Sequence, residues 1–139
     1  MKILNIRLSM LALIIGSLCF AHADGASSDP SGTWKWVAPA NPDGTAPKIS
    51  FTLKLQGNSV IGTRTTGVGA VAVLTNGVVH AADVSFETPL HNTASTPQKL
   101  TFTRYHGTLE GDSIKGTEEI FVNGQKFSSR DWEIERVGR

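Results

Sequence analysis

The chain has 139 residues, with 13 Lys and Arg against 12 Asp and Glu, and its formal net charge is +1. This length fits one ordinary domain, and a near-neutral charge without any basic run argues against nucleic acid and anionic membrane surfaces as partners. The single cysteine, Cys19, lies in the N-terminal segment described next. Disulfides, thiol nucleophiles and thiolate metal sites are therefore excluded from the rest of the chain.

The first 23 residues have the three parts of a secretory signal peptide. Lys2 and Arg7 give a positively charged start, an almost wholly apolar run covers 8–20, and Ala-His-Ala at 21–23 has the small-x-small form of a cleavage site. An apolar run of roughly a dozen residues is shorter than the ~20 needed to span a bilayer. We expect an exported chain, periplasmic or extracellular, with no transmembrane segment after cleavage. Loss of Lys2 and Arg7 lowers the formal net charge from +1 to −1.

Beyond the signal peptide, the sequence predicts a flexible lead-in and one β-domain. Residues 24–31 are rich in Gly, Ser and Pro and form the lead-in, and the domain covers 32–139. Apolar and polar residues alternate most regularly from 49 to 55, which is the period of a strand with one buried face. No window has the apolar spacing of three and four that a helix requires. Strands are predicted at 33–37, 48–56, 59–66, 70–74, 78–87, 99–109, 113–122 and 125–137, with long loops at 38–47 and 88–98.

Tight turns are predicted by a repeated seven-residue pattern. Gly-Asn-Ser-Val-Ile-Gly-Thr at 57–63 returns as Gly-Asp-Ser-Ile-Lys-Gly-Thr at 111–117, and Asn-Gly pairs occur at 76–77 and 123–124. Gly, Asn and Asp tolerate the positive φ of a two-residue hairpin, and β-branched residues suit the strand that follows. The sequence therefore predicts an all-β fold of about eight antiparallel strands in an up-and-down meander. Closure into a barrel is favoured because it removes edge strands, and a β-sandwich is the alternative.

Gly32-Thr33-Trp34 on the first predicted strand resembles the Gly-x-Trp signature of the calycins, the lipocalin and avidin-like barrels. The resemblance implies a barrel in which Trp34 closes one end and a basic residue of the last strand, here Arg136, packs over it. It therefore makes Gly32, Trp34 and Arg136 structural closure residues. The wider pattern, with both repeated hairpins and Trp132 near a terminal Arg, resembles an uncharacterised family of small secreted bacterial β-domains. Neither resemblance implies an activity or a cofactor.

Polar residues on the sixth predicted strand continue its apolar face. Leu100 and Phe102 alternate with Lys and Thr and are taken to set the core face of this strand. Because side chains two residues apart share a face, Arg104 and His106 are predicted to point into the barrel.

Two other strands add charged residues to the predicted interior. Glu118 shares its parity with Ile114, and Arg64 shares that of Val60. Arg64, Arg104 and Glu118 are therefore expected to meet in the lumen, where a charge is tolerated only if it is paired, hydrogen-bonded or wet. The cluster is either a structural ion pair near a wet barrel end or a site for a small anionic or polyhydroxy ligand.

No pattern in the sequence predicts a catalytic centre, a metal site or a cofactor. Adjacent carboxylates on a strand point to opposite faces, and the histidines at 80, 91 and 106 lack the spacing of metal ligands. We expect a non-enzymatic binding domain for a small polar or amphipathic molecule or a glycan. Two alternatives stay open: an envelope-associated domain that contacts a protein partner or has a structural role, and a hydrolase acting on envelope glycans.

Overall fold

The computed structural model describes residues 29–37, 40, 42–46, 48–90 and 100–138. The predicted signal peptide at 1–23 lies outside these residues, as do most of the predicted lead-in and parts of the two predicted long loops. The described chain consists of strands, turns and irregular segments without a helix, so it contains no helical segment of the length and hydropathy needed to cross a membrane.

Nine strands make up the described structure. In chain order they are β1 (Gly32–Trp36), β2 (Ile49–Gln56), β3 (Ser59–Thr66), β4 (Val71–Val73), β5 (Thr75–His80), β6 (Asp83–Leu90), β7 (Thr101–Glu110), β8 (Ser113–Val122) and β9 (Gln125–Arg136).

Eight of these strands close into an antiparallel barrel. Around the ring the order is β1, β9, β8, β7, β6, β5, β3 and β2, and β2 pairs with β1 to complete it. The ninth strand, β4, pairs with β3 next to β5. The prediction of an all-β, up-and-down barrel is confirmed, the sandwich alternative is wrong, and the architecture is consistent with a calycin-like barrel.

The two ends of the barrel differ in their connections. One, which we name the closed end, carries the two-residue turns at 57–58, 81–82 and 111–112. The other, which we name the loop-bearing end, is where β1 and β6 end and where β2 and β7 begin. Gly57 and Gly111 have φ values of 61° and 62°, as the first central residue of a tight hairpin requires, and the turns predicted at both positions are confirmed.

The hairpin predicted at Asn76-Gly77 is wrong. β5 runs through this pair, and the chain reverses at 81–82, where Ala81 has a φ of 53°. Asn76 has a φ of 51° and lies at a register shift between β5 and β6, so the pair forms a bulge. A Cβ at position 77 would lie 1.8 Å from the carbonyl oxygen of Val60. The Asn-Gly pair therefore lets β5 bend closely against β3 instead of reversing the chain.

The parity predicted for the sixth strand, now β7, is also wrong. Tyr105 is buried in the interior, whereas Leu100 is 71% exposed and both Arg104 and His106 are exposed. Because side chains alternate along a strand, Phe102 shares the outer face with Arg104 and His106.

An outward aromatic pair explains the error. Phe102 stacks on Phe121 of β8, with ring centroids 4.8 Å apart and planes inclined by 4°. The guanidinium carbon of Arg104 lies 4.8 Å from the Phe121 centroid and covers the pair. Apolar residues that pack across strands on the outside have the same alternation as a core face.

Apolar side chains fill most of the interior. Their period-two positions on the strands point them inward together. The buried apolar residues are Trp34, Phe51, Leu53, Val60, Leu74, Val79, Val84, Phe86, Tyr105, Leu109, Ile114, Trp132 and Ile134. The buried polar residues of the described chain are Thr88, Thr103 and Glu118, and all three lie in the halves of β6, β7 and β8 nearer the loop-bearing end.

Candidate functional site

The closed end is built around a fully buried tryptophan. The indole N–H of Trp34 donates to the carbonyl oxygen of Pro30 at 2.9 Å, and the guanidinium carbon of Arg136 lies 4.3 Å from the Trp34 ring centroid. Such a cation over an indole contributes about 1 kcal/mol. A Cβ at Gly32 would lie 2.8 Å from Nη1 of Arg136, so glycine leaves room for the guanidinium. Gly32, Trp34 and Arg136 therefore lie together at the closed end.

Oxygen atoms hold Arg136 in this position. Its Nη1 donates to the carbonyl of Ser31, its Nη2 to the carbonyl of Asp29 at 3.2 Å, and its Nε to Oδ1 of Asp112 at 3.1 Å. Hydrogen bonds from Ser31 hold the pKa of the Asp29 carboxyl below its ordinary value. The guanidinium and the indole therefore have hydrogen-bond partners within the chain, and together they close this end of the barrel.

Tyr105 is the centre of the interior towards the loop-bearing end. Its ring centroid lies 5.3 Å from that of Phe51, 5.1 Å from Phe86, 5.1 Å from Trp132 and 6.2 Å from Trp36. These rings come from β1, β2, β6 and β9, which meet across the lumen. The phenol is consequently enclosed by aromatic side chains on several sides.

Glu118 lies in the interior, as its parity predicts, and is 4% exposed. Its Oε1 accepts a hydrogen bond from the hydroxyl of Tyr105 at 3.3 Å, and its Oε2 accepts one from Nε of Arg130. The guanidinium carbon of Arg130 also lies 5.0 Å from the Trp36 centroid. The hydrogen bond to Glu118 raises the pKa of Arg130. Arg130, and not Arg104, is therefore the cation that compensates this buried carboxylate.

Burial raises the pKa of Tyr105 well above its ordinary value. The positive charge of Arg64 acts in the opposite direction, and the carboxylate of Glu118 reinforces the effect of burial. The phenol therefore remains protonated at neutral pH and acts as a hydrogen-bond donor to Glu118.

Two buried side-chain donors of the described residues have no hydrogen-bond partner, Nε of Arg64 and Nε1 of Trp132, whereas the hydroxyl of Thr88 lies beside the phenol of Tyr105 and interacts with it. Arg64 lies opposite Phe51 and on the inward face of β3, and Thr88 and Trp132 are almost completely buried. A buried polar group without a partner costs about 1–3 kcal/mol, so such atoms require an explanation, and a bound molecule that pairs with them is one.

A groove of about 400 Å³ opens at the rim beside this interior. The groove and the interior share one residue, Trp36, which lines the groove and also contacts Tyr105. The ammonium group of Lys35 lies 3.5 Å from a carboxylate oxygen of Glu135. The groove is lined by Lys35, Trp36, Lys48, Ile49, Ser50, Thr66 and Gly67.

Of the four predicted lumenal residues, Arg64 and Glu118 lie in the interior, whereas Arg104 and His106 lie on the outer surface. Arg104 pairs with Glu87, with Nη2 2.8 Å from Oε1. The prediction that Arg64, Arg104 and Glu118 meet in the lumen is therefore wrong. It took Phe102 as a core residue, whereas Phe102 packs on Phe121 outside the barrel.

Sequence reasoning did not assign Arg130 or Thr88 to this region. Arg130 and Trp132 alternate along the last strand, but Trp132 is buried, whereas the side chain of Arg130 is 64% exposed and reaches Glu118 from outside the core. Thr88 was predicted to begin a loop, but β6 continues to Leu90 and gives Thr88 an inward position. Arg130 supplies the cation that pairs with Glu118, and Trp132 supplies one of the unpartnered donors.

Neither metal-binding clusters nor similarity to known proteins identifies the function of this interior. In the part of the chain that the structure describes, no three His, Cys, Asp or Glu side chains lie together as a metal site. Comparison of the chain with protein-family models, curated proteins and solved structures gives no match. The geometry of the interior remains as the basis for a functional proposal.

Proposed function

We propose that the protein is a non-enzymatic binding domain for a small polar or amphipathic molecule, and that the ligand enters the barrel from the loop-bearing end. The observation that carries this proposal is the pair of unpartnered buried donors on Arg64 and Trp132. A ligand that pairs with them removes a desolvation cost that the free barrel bears. The aromatic rings around Tyr105 and the rim groove supply apolar contacts for the rest of such a molecule.

Thermal unfolding of the purified chain with a panel of sugars, amino acids, organic anions and fatty acids tests this function. A compound present at ~100 times its dissociation constant adds about 2.7 kcal/mol to the free energy of unfolding, which raises the midpoint by several degrees. Binding in the interior should also move the indole N–H resonance of Trp132. A panel that changes neither the midpoint nor this resonance contradicts the proposal.

Two substitutions of the same type separate the interior from the outer surface. Arg64→Met removes an inward guanidinium, and Arg104→Met removes an outward one that pairs with Glu87. We expect Arg64→Met to abolish the midpoint shift caused by a ligand and Arg104→Met to preserve it. Equal losses would assign the ligand to another surface.

A specific observation favours the alternative of a protein-interaction domain. Phe127 is 77% exposed and Leu100 is 71% exposed. Leu100 directly precedes β7, and Phe127 follows Lys126, the residue of β9 that pairs with Phe121. Exposed apolar patches of this kind occur where proteins contact partners. Phe127→Ser should abolish capture of an envelope protein under this alternative and should leave small-molecule binding unchanged under the main proposal.

The hydrolase alternative receives less support. A glycosidase of the common type needs two carboxyl groups that flank one bond. In the described interior, the buried carboxylate is Glu118, and its neighbours are the phenol of Tyr105 and the guanidinium of Arg130. This environment stabilises a fixed negative charge and offers no second acid to donate a proton.

We also propose export and a calycin-like relationship for this domain. The Gly-x-Trp motif and Arg136 over Trp34 support the relationship, and the tripartite segment at 1–23 supports export to the periplasm or outside the cell. Intact-mass measurement of the chain recovered from each cell fraction tests export. The expected product begins at Asp24, and recovery of the uncleaved chain in the cytoplasm contradicts export.

A further inference from the structure

The two unpartnered atoms can offer only hydrogens to a ligand. Nε of Arg64 and Nε1 of Trp132 carry hydrogens and can only donate. The hydroxyl of Thr88 already lies beside the phenol of Tyr105. The buried acceptor, the carboxylate of Glu118, already receives hydrogen bonds from Tyr105 and Arg130. Within the described residues, the donors of Arg64 and Trp132 therefore have no hydrogen-bond acceptor, and a ligand could supply one.

The charges of the same region have a positive excess. Arg64 lies on the inward face of β3, and the buried carboxylate of the described interior, Glu118, is already engaged by Arg130, whose side chain is 64% exposed. At the rim, the groove adds Lys35, which is paired with Glu135, and Lys48. A negative charge brought by a ligand would be attracted by Arg64 in a medium that screens poorly.

The remaining surroundings are apolar. Trp36 forms part of the rim groove together with Ile49 and also packs against Tyr105 in the interior. A hydrocarbon or aromatic body next to the acceptor group would be buried against these side chains and would gain about 25 cal/mol per Å² of apolar surface removed from water.

We infer that the ligand is an amphipathic carboxylate whose oxygens accept hydrogen bonds from Arg64 and Trp132 and whose apolar body extends towards Trp36 and the rim groove. This inference rests on the proposed function and specifies its ligand class. A carboxylate fits because its two oxygens can accept from separate donors at once, and a charged hydrogen bond is stronger than a neutral one.

Matched probes that differ only in the polar group test this class. Hexanoate, hexanamide and hexan-1-ol form one series, and benzoate, benzamide and benzyl alcohol form another. We expect each carboxylate to bind at least about tenfold more tightly than its neutral analogues, as the added strength of charged hydrogen bonds implies. Affinity is followed by the indole N–H resonance of Trp132, and that of Trp34, which donates to Pro30, is the internal reference.

Single substitutions then assign the contacts. Trp132→Phe removes one donor and keeps an aromatic ring, Arg64→Met removes the other donor and the charge, and Arg104→Met is the matched control on the outer face. We expect about tenfold weaker binding of hexanoate and benzoate for each of the first two and no change for the third. Calorimetry measures these affinities, because Trp132→Phe deletes the reporter indole, and if one interior variant fails to fold, the other still tests the site.

The outcomes separate this inference from the proposed function. Neutral analogues that bind as tightly as the carboxylates would overturn the carboxylate class and leave a lumenal binding function intact. Carboxylates that bind equally well to the Arg64→Met variant would overturn the assigned contacts. An unchanged Trp132 resonance with all six probes would overturn the inference. The proposed function would be contradicted only if the wider panel of compounds also left the unfolding midpoint and the Trp132 resonance unchanged.

Discussion

The closed end and the interior around Tyr105 each contain a buried tryptophan, and the two indoles have different surroundings. At the closed end, the Trp34 indole has an acceptor in Pro30, and Arg136 is held by three oxygens while it covers the ring. In the interior, the Trp132 ring contacts Tyr105, and its indole N–H is buried without an acceptor. The same residue type therefore has a complete set of hydrogen bonds at the closed end and an unpaired donor in the interior.

This difference separates stability from recognition within one small domain. Hydrogen bonds that are complete within the chain stabilise the fold but leave nothing for a ligand, whereas unpartnered donors lower stability until an acceptor arrives. The closed end should accordingly be sensitive to any truncation. The interior around Tyr105 should tolerate loss of its unpartnered donors, and such variants should lose ligand binding instead.

The largest effect expected is that of Trp34→Ala. It removes a fully buried indole, its hydrogen bond to Pro30 and the surface on which Arg136 packs, so we expect a loss of about 3–5 kcal/mol in the free energy of unfolding. Urea denaturation measures it. Trp36→Ala, at a half-buried position, is the control and should cost less. Equal losses would mean that the closed end contributes no special stability.

Gly32→Ala should come next. The added Cβ would lie 2.8 Å from Nη1 of Arg136, and the φ of 142° is one that L side chains rarely adopt, so we expect a loss of about 1–3 kcal/mol. Gly69→Ala, with a φ of 82° and open space around it, carries backbone strain alone and should cost about 1 kcal/mol. If the two variants unfold at the same urea concentration, Arg136 is not confined by Gly32.

The pH dependence of stability tests whether the interior around Tyr105 is dry. Because burial raises the pKa of this phenol in the folded protein, the unfolded chain loses its proton first as pH rises above about 10. Stability attributable to Tyr105 is therefore complete below pH ~10 and falls above it by up to about 1.4 kcal/mol per pH unit.

Tyr105 is the only tyrosine in the sequence, so phenolate absorbance reports on it alone. We expect this absorbance to appear together with unfolding, and the Tyr105→Phe variant to lose the added alkaline sensitivity. Titration of the folded protein near pH 10 would instead indicate that water reaches the phenol.

The smallest effect expected is the difference in stability between two tryptophan variants, one at the closed end and one in the interior around Tyr105. Trp34→Phe leaves the Pro30 carbonyl without its donor, whereas Trp132→Phe deletes a donor that has no partner. Both variants lose similar volume, so we expect Trp34→Phe to be less stable by about 1 kcal/mol. A larger loss for Trp132→Phe would show that its N–H has a partner in solution.

The fold could be predicted from local sequence because its determinants are local. The two-residue turns at Gly57 and Gly111 need only a positive φ and flanking strand formers, and both copies form hairpins. Asn76-Gly77 looks the same locally, yet it forms a bulge, because Gly77 must pass the carbonyl of Val60 on another strand. That contact is a property of the closed barrel and is not visible in the pair itself.

The candidate site could be predicted only in part, for a similar reason. The face of β8 was assigned correctly, and Glu118 lies inside with Ile114. The face of β7 was reversed because Phe102 packs on Phe121 outside the barrel. The missing partner of Trp132 depends on what other strands bring near it, and periodicity contains no information about that.

The pairing of β1 with β9 has a consequence for biosynthesis. This pairing joins strands at opposite ends of the domain and aligns Trp34 with Arg136, whereas β2 with β3 and β7 with β8 pair as neighbours in sequence. Local hairpins form faster than distant contacts, so ring closure should be the late event. Until β9 has emerged, β1 and β8 present free edges on which another chain could add a strand. Nascent or truncated chains that lack β9 should therefore be the species that needs protection from aggregation.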